Sequence, residues 1–244
     1  MAGGEGVAKK SDLGVRTLSA VIMVAVAGAA LWLGGWVWTA FVALVALGVV
    51  WEWRGLVIRF VGSPTARGLW NAGGLLYVGL AGTALAVMRA GAPDLVLVLT
   101  VVGAVVATDV GAYFAGRTIG GPKIAPKISP SKTWAGLIGG ATAAGLALIG
   151  IVSLTGEPAD VTLFPQHLLA GAVVAVVAQT GDFFESWMKR KAGVKDSGDL
   201  IPGHGGLFDR VDGVLAVCFV IGLLGLAIVI ETLLSGGSLL PSPA

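Results

Sequence analysis

Two polar segments interrupt an otherwise apolar chain, and both hold residue types suited to handling phosphate. The later one begins Gly181-Asp182-Phe183-Phe184-Glu185-Ser186-Trp187-Met188-Lys189-Arg190 and ends Gly203-His204-Gly205-Gly206-Leu207-Phe208-Asp209-Arg210-Val211-Asp212. Asp182, Glu185, Ser186 and Lys189 recur at i, i+3, i+4 and i+7, which sets them along one face of a helix. Alone, that face would read as a solvated helix end with a Glu185–Lys189 ion pair. The three glycines around His204 leave backbone N–H groups free to line a concave anion nest. Asp209 and Asp212, at i and i+3, share a helix face. With Asp182 from a neighbouring helix they form the kind of carboxylate set that Mg²⁺ takes alongside phosphate oxygens and its own waters. Helix capping accounts for one of these aspartates, not for the set.

The earlier segment reads Thr108-Asp109-Val110-Gly111-Ala112-Tyr113, then Ser129-Pro130-Ser131-Lys132-Thr133-Trp134. Asp109 falls inside an apolar run, where an ionisable group costs about 2.5 kcal/mol or more, so a functional role is expected. Tyr113, four residues on, faces the same way and is placed to hydrogen-bond Asp109 or stack on a ligand. Glu52 also lies in an apolar run, but Arg54 is close and the polar boundary is near, so a structural role is expected. Gly116 to Lys123 imitates a P-loop; Pro122 removes an N–H that a phosphate cradle needs, and no Ser or Thr follows the lysine. The chain has no H-E-x-x-H, no paired C-x-x-C and no G-x-S-x-G, so zinc hydrolysis and serine-nucleophile chemistry lack their parts.

The elements that must position these residues are membrane helices. Of 244 residues, 56% are hydrophobic and 12% charged, far from a soluble average. Seven runs approach the roughly 20 residues a helix needs to cross a bilayer: about Leu18–Leu33, Trp36–Val50, Leu69–Met88, Leu95–Ala115, Trp134–Leu154, Leu163–Val177 and Val214–Leu234. The second and sixth are short and are expected to extend into flanking residues, and a broken span would raise the number to eight or nine. The runs are apolar on every face, which excludes barrel strands, so the fold class is an all-α polytopic transmembrane bundle. Met1 to Arg16 does not resemble a cleavable signal, and the first span is expected to be retained. Fifteen of the sixteen Lys and Arg fall on the side of the N-terminus, in residues 1–17, 51–68, 116–133 and 178–213; only Arg89 lies opposite. That asymmetry predicts a cytoplasmic N-terminus and a cytoplasmic polar site. The opposite loops, with Asp94, Glu157 and Asp160, look inert, and His167 there is expected to be an interfacial histidine. The lone Cys218 allows no intrachain disulfide and reads as a small core residue. Residues 1–92 are expected to form a scaffold of about three spans, and 93–244 to carry the chemistry with loops 116–133 and 178–213.

Within 178–213, the 27-residue run Ser186-x-Met188-Lys189-Arg190-x-x-x-x-Lys195-Asp196-x-Gly198-x-x-Ile201-Pro202-x-His204-Gly205-Gly206-Leu207-x-Asp209-Arg210-Val211-Asp212 resembles, without a gap, the signature of the phosphatidate cytidylyltransferases, or CDP-diacylglycerol synthases. The likeness extends upstream through Gly181-Asp182, Ser129-Pro130-x-Lys132-Thr133-Trp134 and Asp109-x-Gly111-Ala112-Tyr113, about the C-terminal 60% of the chain. Ser131 and Ala135 replace a lysine and a glutamate usual in the family, which removes one positive and one negative charge together.

The resemblance implies that a phosphatidate oxygen attacks the α-phosphorus of CTP and expels pyrophosphate. Asp182, Asp209 and Asp212 would hold Mg²⁺ and leave room for a second cation. Lys189, Arg190, Lys195 and Arg210 would grip phosphates, and Ser186 and His204 would donate hydrogen bonds or orient an oxygen. Asp196 belongs to the same catalytic set; Ser129, Lys132, Thr133, Asp109, Tyr113, Gly205 and Gly206 are the expected substrate contacts. It further implies an inner-membrane enzyme, compatible with a homodimer and without a nucleic-acid partner. Two rival readings are a CTP-dependent kinase of a polyprenol-type alcohol, which would need a base for its hydroxyl, and an anion transporter, which would place its polar residues near the midplane.

Overall fold

The computed structural model describes residues 5–90, 95–154 and 161–235; the acidic residues Asp94, Glu157 and Asp160 of the sequence reading lie outside them. Seven helices dominate: α1 (Glu5–Leu33), α2 (Gly35–Phe60), α3 (Pro64–Ala90), α4 (Leu95–Thr118), α5 (Trp134–Leu154), α6 (Phe164–Ala192) and α7 (Phe208–Leu234). All seven contain a stretch long and apolar enough to cross a membrane, so the chain is a multi-pass membrane protein built as an all-α bundle.

Two extensions bear on the site. As expected of runs too short to span alone, the apolar stretches reaching Val50 and Val177 continue as helix, to Phe60 and Ala192. The change from apolar to polar residues marks where a helix leaves the hydrocarbon, not where its hydrogen bonds stop. Helix α6 ends on Gly193, whose φ of 69° is the left-handed conformation glycine adopts freely, with Val194 N–H reaching back to the Lys189 carbonyl. The segment 178–213 therefore begins as helix, and only residues 193–207 form the connection. The segment 116–133 holds a short antiparallel hairpin, β1 (Lys123–Ala125) with β2 (Ser129–Thr133).

Helices α4, α5 and α6 pack in sequence, and α7 returns between α6 and α3. An aromatic cluster fixes α6 against the N-terminal helices. Trp53 of α2 meets Phe184 at 5.6 Å and Phe208 at 5.9 Å, and Trp70 of α3 stacks on Trp187 at 5.8 Å. Each such pair contributes about 0.5–1.5 kcal/mol beyond area burial. Phe184 and Trp187 thus turn one face of α6 toward α2 and α3, leaving Asp182 and Ser186 on a different face.

Candidate functional site

The polar residues gather at the end of the bundle where α4 and α6 finish and α5 and α7 begin. A close approach of α6 and α7 sets the geometry. A Cβ placed on Gly181 would stand 2.5 Å from the Ala216 Cβ and 2.6 Å from the Asp212 carbonyl oxygen, so only glycine admits this contact, and it brings Asp182 beside Asp212. Carboxylate oxygens of Asp182, Glu185 and Asp212 all lie within 4.8 Å of one another.

Asp182 and Asp212 are half-buried, and Glu185 is fully buried. Lys132, at the end of β2, pairs with Asp182, and Ser186 Oγ lies 3.4 Å from the same carboxylate. Lys189 Nζ stands 2.5 Å from both Glu185 and Asp209, tying α6 to the first turn of α7. Neither oxygen of Glu185 takes part in a hydrogen bond of regular geometry. Three hard oxygen donors within reach of a common point, with lysines at their flanks, fit a small divalent cation. Opposite ligands of an octahedral Mg²⁺ stand about 4 Å apart. Asp109 of α4 lies within electrostatic range of Lys132 and Asp182, and so borders the same cleft.

Asp209 has a different environment. Its Oδ2 accepts Ser197 N–H at 2.8 Å, Gly206 N–H at 2.9 Å and lies 2.9 Å from Ser197 Oγ, while Oδ1 faces Lys189. The trio that the backbone brings together therefore contains Glu185 where the sequence reading set Asp209. The glycine-rich turn also departs from expectation. The N–H groups of Gly206, Leu207 and Phe208 are not free for a phosphate: Asp209 takes the first, and Glu52 takes the others at 2.8 Å each. Gly206 as an open anion contact is thus corrected, since the chain's own carboxylates fill the nest. Gly205 has φ 80° and packs against Asp196, its carbonyl accepting Ile201 N–H at 3.0 Å.

His204 Nδ1 is 2.7 Å from Ser19 Oγ of α1, and its carbonyl accepts from Arg210 at 2.9 Å. Arg190 reaches the Ile128 carbonyl of the hairpin at 3.4 Å. Thr133 is buried and its hydroxyl accepts Gly136 N–H at 3.0 Å, which makes it the N-cap of α5. Ser129 is buried in β2, its Oγ 3.5 Å from that of Ser131. Tyr113 OH accepts from Arg117 at 3.1 Å and is not seen to donate to Asp109, and its ring is exposed. Lys195 and Asp196 are exposed on the connection after α6.

Three residues at or beside the site escaped the sequence reading. Glu185 was visible in the i, i+3 spacing with Asp182, yet its pairing with Lys189 has the form of an ordinary surface pair. Ser197 occupies a variable position of the signature run, and Ser19 sits in an apolar helix with no motif around it.

A family model described as the cytidylyltransferase family matches residues 62–227. Curated relatives point the same way. The chain is 35% identical to a phosphatidate cytidylyltransferase of Brucella suis over 88% of this chain and 94% of the relative. It is 33% identical to one of Rickettsia bellii over 85% and 88%, and 39% identical to one of Haemophilus influenzae over 68% and 62%.

Proposed function

The chain belongs to the cytidylyltransferase family, and from that premise we propose that it joins CTP to phosphatidate, giving CDP-diacylglycerol and pyrophosphate. An oxygen of the phosphatidate phosphate forms the new bond to the α-phosphorus of CTP. The bond from that phosphorus to the oxygen bridging to the β-phosphate breaks, and pyrophosphate leaves with the electron pair. The nucleophile is already an anion, so no Ser or Cys nucleophile and no strong base are needed. Catalysis reduces to holding two polyanions in line and offsetting their charge.

This chain's residues meet those demands in separable ways. Lys132 and Ser186 border the cleft at Asp182 and supply donors for phosphate oxygens. Arg190, exposed beside the hairpin, presents a fork suited to phosphate. Lys189 compensates Glu185 and Asp209, so that the acidic groups do not repel an incoming triphosphate. Asp182, Glu185 and Asp212 would hold Mg²⁺, which when bound neutralises charge on the phosphates. The cleft lies where Lys and Arg concentrate, which supports a cytoplasmic orientation by the positive-inside rule, and the membrane would be the inner one, as the family resemblance implies. CTP would then arrive from water and phosphatidate from the leaflet.

The observation that carries this reading is the convergence of Asp182, Glu185 and Asp212 with Lys132 and Lys189 at one end of the bundle. Purified protein in vesicles containing phosphatidate, given labelled CTP and Mg²⁺, is expected to release pyrophosphate and form labelled CDP-lipid. A phosphorylated alcohol formed instead from a polyprenol would transfer the assignment to a lipid kinase. Solute flux without CTP turnover would overturn both.

A further inference from the structure

The carboxylate in the turn before α7 comes from a helix outside the signature run. Glu52 of α2 is 3% exposed. Its Oε1 accepts Leu207 N–H at 2.8 Å; its Oε2 accepts Phe208 N–H at 2.8 Å and Ser197 O–H at 2.9 Å. These N–H groups open α7, so the negative charge sits where the helix dipole favours it. Two signature glycines make room for it. A Cβ on Gly198 would lie 2.6 Å from Glu52 Oε1, and one on Gly206 would lie 2.7 Å from Oε2 and 1.9 Å from Ser197 Oγ.

Ser197 joins this carboxylate to Asp209, its hydroxyl oxygen 2.9 Å from an oxygen of each. A hydroxyl has one proton, so the two carboxylates compete for it and are geometrically coupled. Asp209 in turn holds Lys189, which holds Glu185. A continuous set of contacts therefore runs from α2 through the connection and α7 to the acidic trio on α6.

We propose that Glu52 is a positioning residue for the cytidylyl transfer, an internal anion that fills the nest before α7 and, through Ser197, fixes Asp209 and Lys189. The inference rests on the reaction assigned above. Glutamine cannot replace it, because its single carbonyl oxygen serves one side of the turn while its NH₂ meets the N–H groups on the other.

The test is steady-state kinetics per folded molecule, with hydrogen exchange at residues 196–208, on the parent, Glu52→Gln, Glu52→Asp and Ser197→Ala in phosphatidate vesicles. Glu52→Gln is expected to lower kcat about 10²-fold, as misplacement of a reacting group by an ångström can. Its KM for CTP stays within about threefold, because the lost contact is not to substrate. The amides of 206–208 should exchange at least about tenfold faster, and Glu52→Asp should recover part of kcat by keeping the charge. Adding Ser197→Ala to Glu52→Gln should cost nothing further, since both break one linkage. A folded Glu52→Gln protein with kcat within about threefold of the parent overturns the proposal. If Glu52→Gln does not fold, Ser197→Ala alone decides: about a tenfold lower kcat at unchanged melting temperature is expected, and parental kcat overturns the proposal. A parent that forms no CDP-lipid overturns the assigned reaction instead, and the exchange rates then judge the Glu52 clamp separately.

Discussion

The acidic groups at the mouth of the α6–α7 pair and those in the turn before α7 share a chemistry but differ in their partners. Glu52 and Asp209 are surrounded by backbone N–H groups, a serine and a lysine, and every one of their oxygens accepts. Among the described residues, Asp182 and Glu185 face chiefly lysine ammonium groups, Glu185 has no hydrogen bond of regular geometry, and Asp212 accepts from its neighbour Gly213 alone. A buried carboxylate supplied with fixed backbone donors has little to offer an external cation, whereas one with few such donors keeps its oxygens available to a ligand. The difference separates a structural clamp from a binding site within a few residues of sequence.

The largest effects are expected at the mouth. Asp182→Asn and Asp212→Asn are each expected to lower CDP-lipid formation about 10³-fold, the scale of lost electrostatic stabilisation, while the melting temperature in detergent barely moves. Unchanged turnover in either variant would remove that residue from the site. In the turn, Asp209→Asn should lower both stability and rate. It leaves Lys189 with one partner fewer and faces an amide nitrogen toward N–H donors, for a loss of about 3 kcal/mol in chemical unfolding and about 10²-fold in kcat. An Asp209→Asn protein as stable as the parent would show that the turn is not a clamp. The smallest effect is expected at Lys191, which is exposed at the end of α6. Lys191→Ala should stay within about 0.5 kcal/mol of the parent with parental turnover, and a large loss there would mean that bulk positive charge, not the named lysines, governs the reaction.

The bundle was legible because hydrophobic length is a direct physical demand of the bilayer, and all seven runs became helices. The second and sixth runs, too short to span alone, extend as expected, but hydropathy did not give the residues at which α2 and α6 stop, since it reports solvent, not backbone hydrogen bonding. The hairpin at 123–133 was hidden because its strands are three and five residues long and one contains Pro130. Asp182 and Asp212 were recognisable from spacing and charge. Their division from Asp209 was not, because it depends on which N–H groups the turn directs at which oxygen. Glu52 was expected to be structural through Arg54 nearby; the partners it has are Ser197, Leu207 and Phe208, about 150 positions away in the chain, and no local pattern announces such a pairing.

The most direct test is Mn²⁺ titration of the purified protein in detergent, without nucleotide, followed by electron paramagnetic resonance of the free ion. Mn²⁺ is expected to bind the parent, to be retained within about tenfold in Asp209→Asn, and to be lost in Asp182→Asn and Asp212→Asn. Binding that survives both mouth substitutions but disappears in Asp209→Asn would contradict this division between mouth and turn.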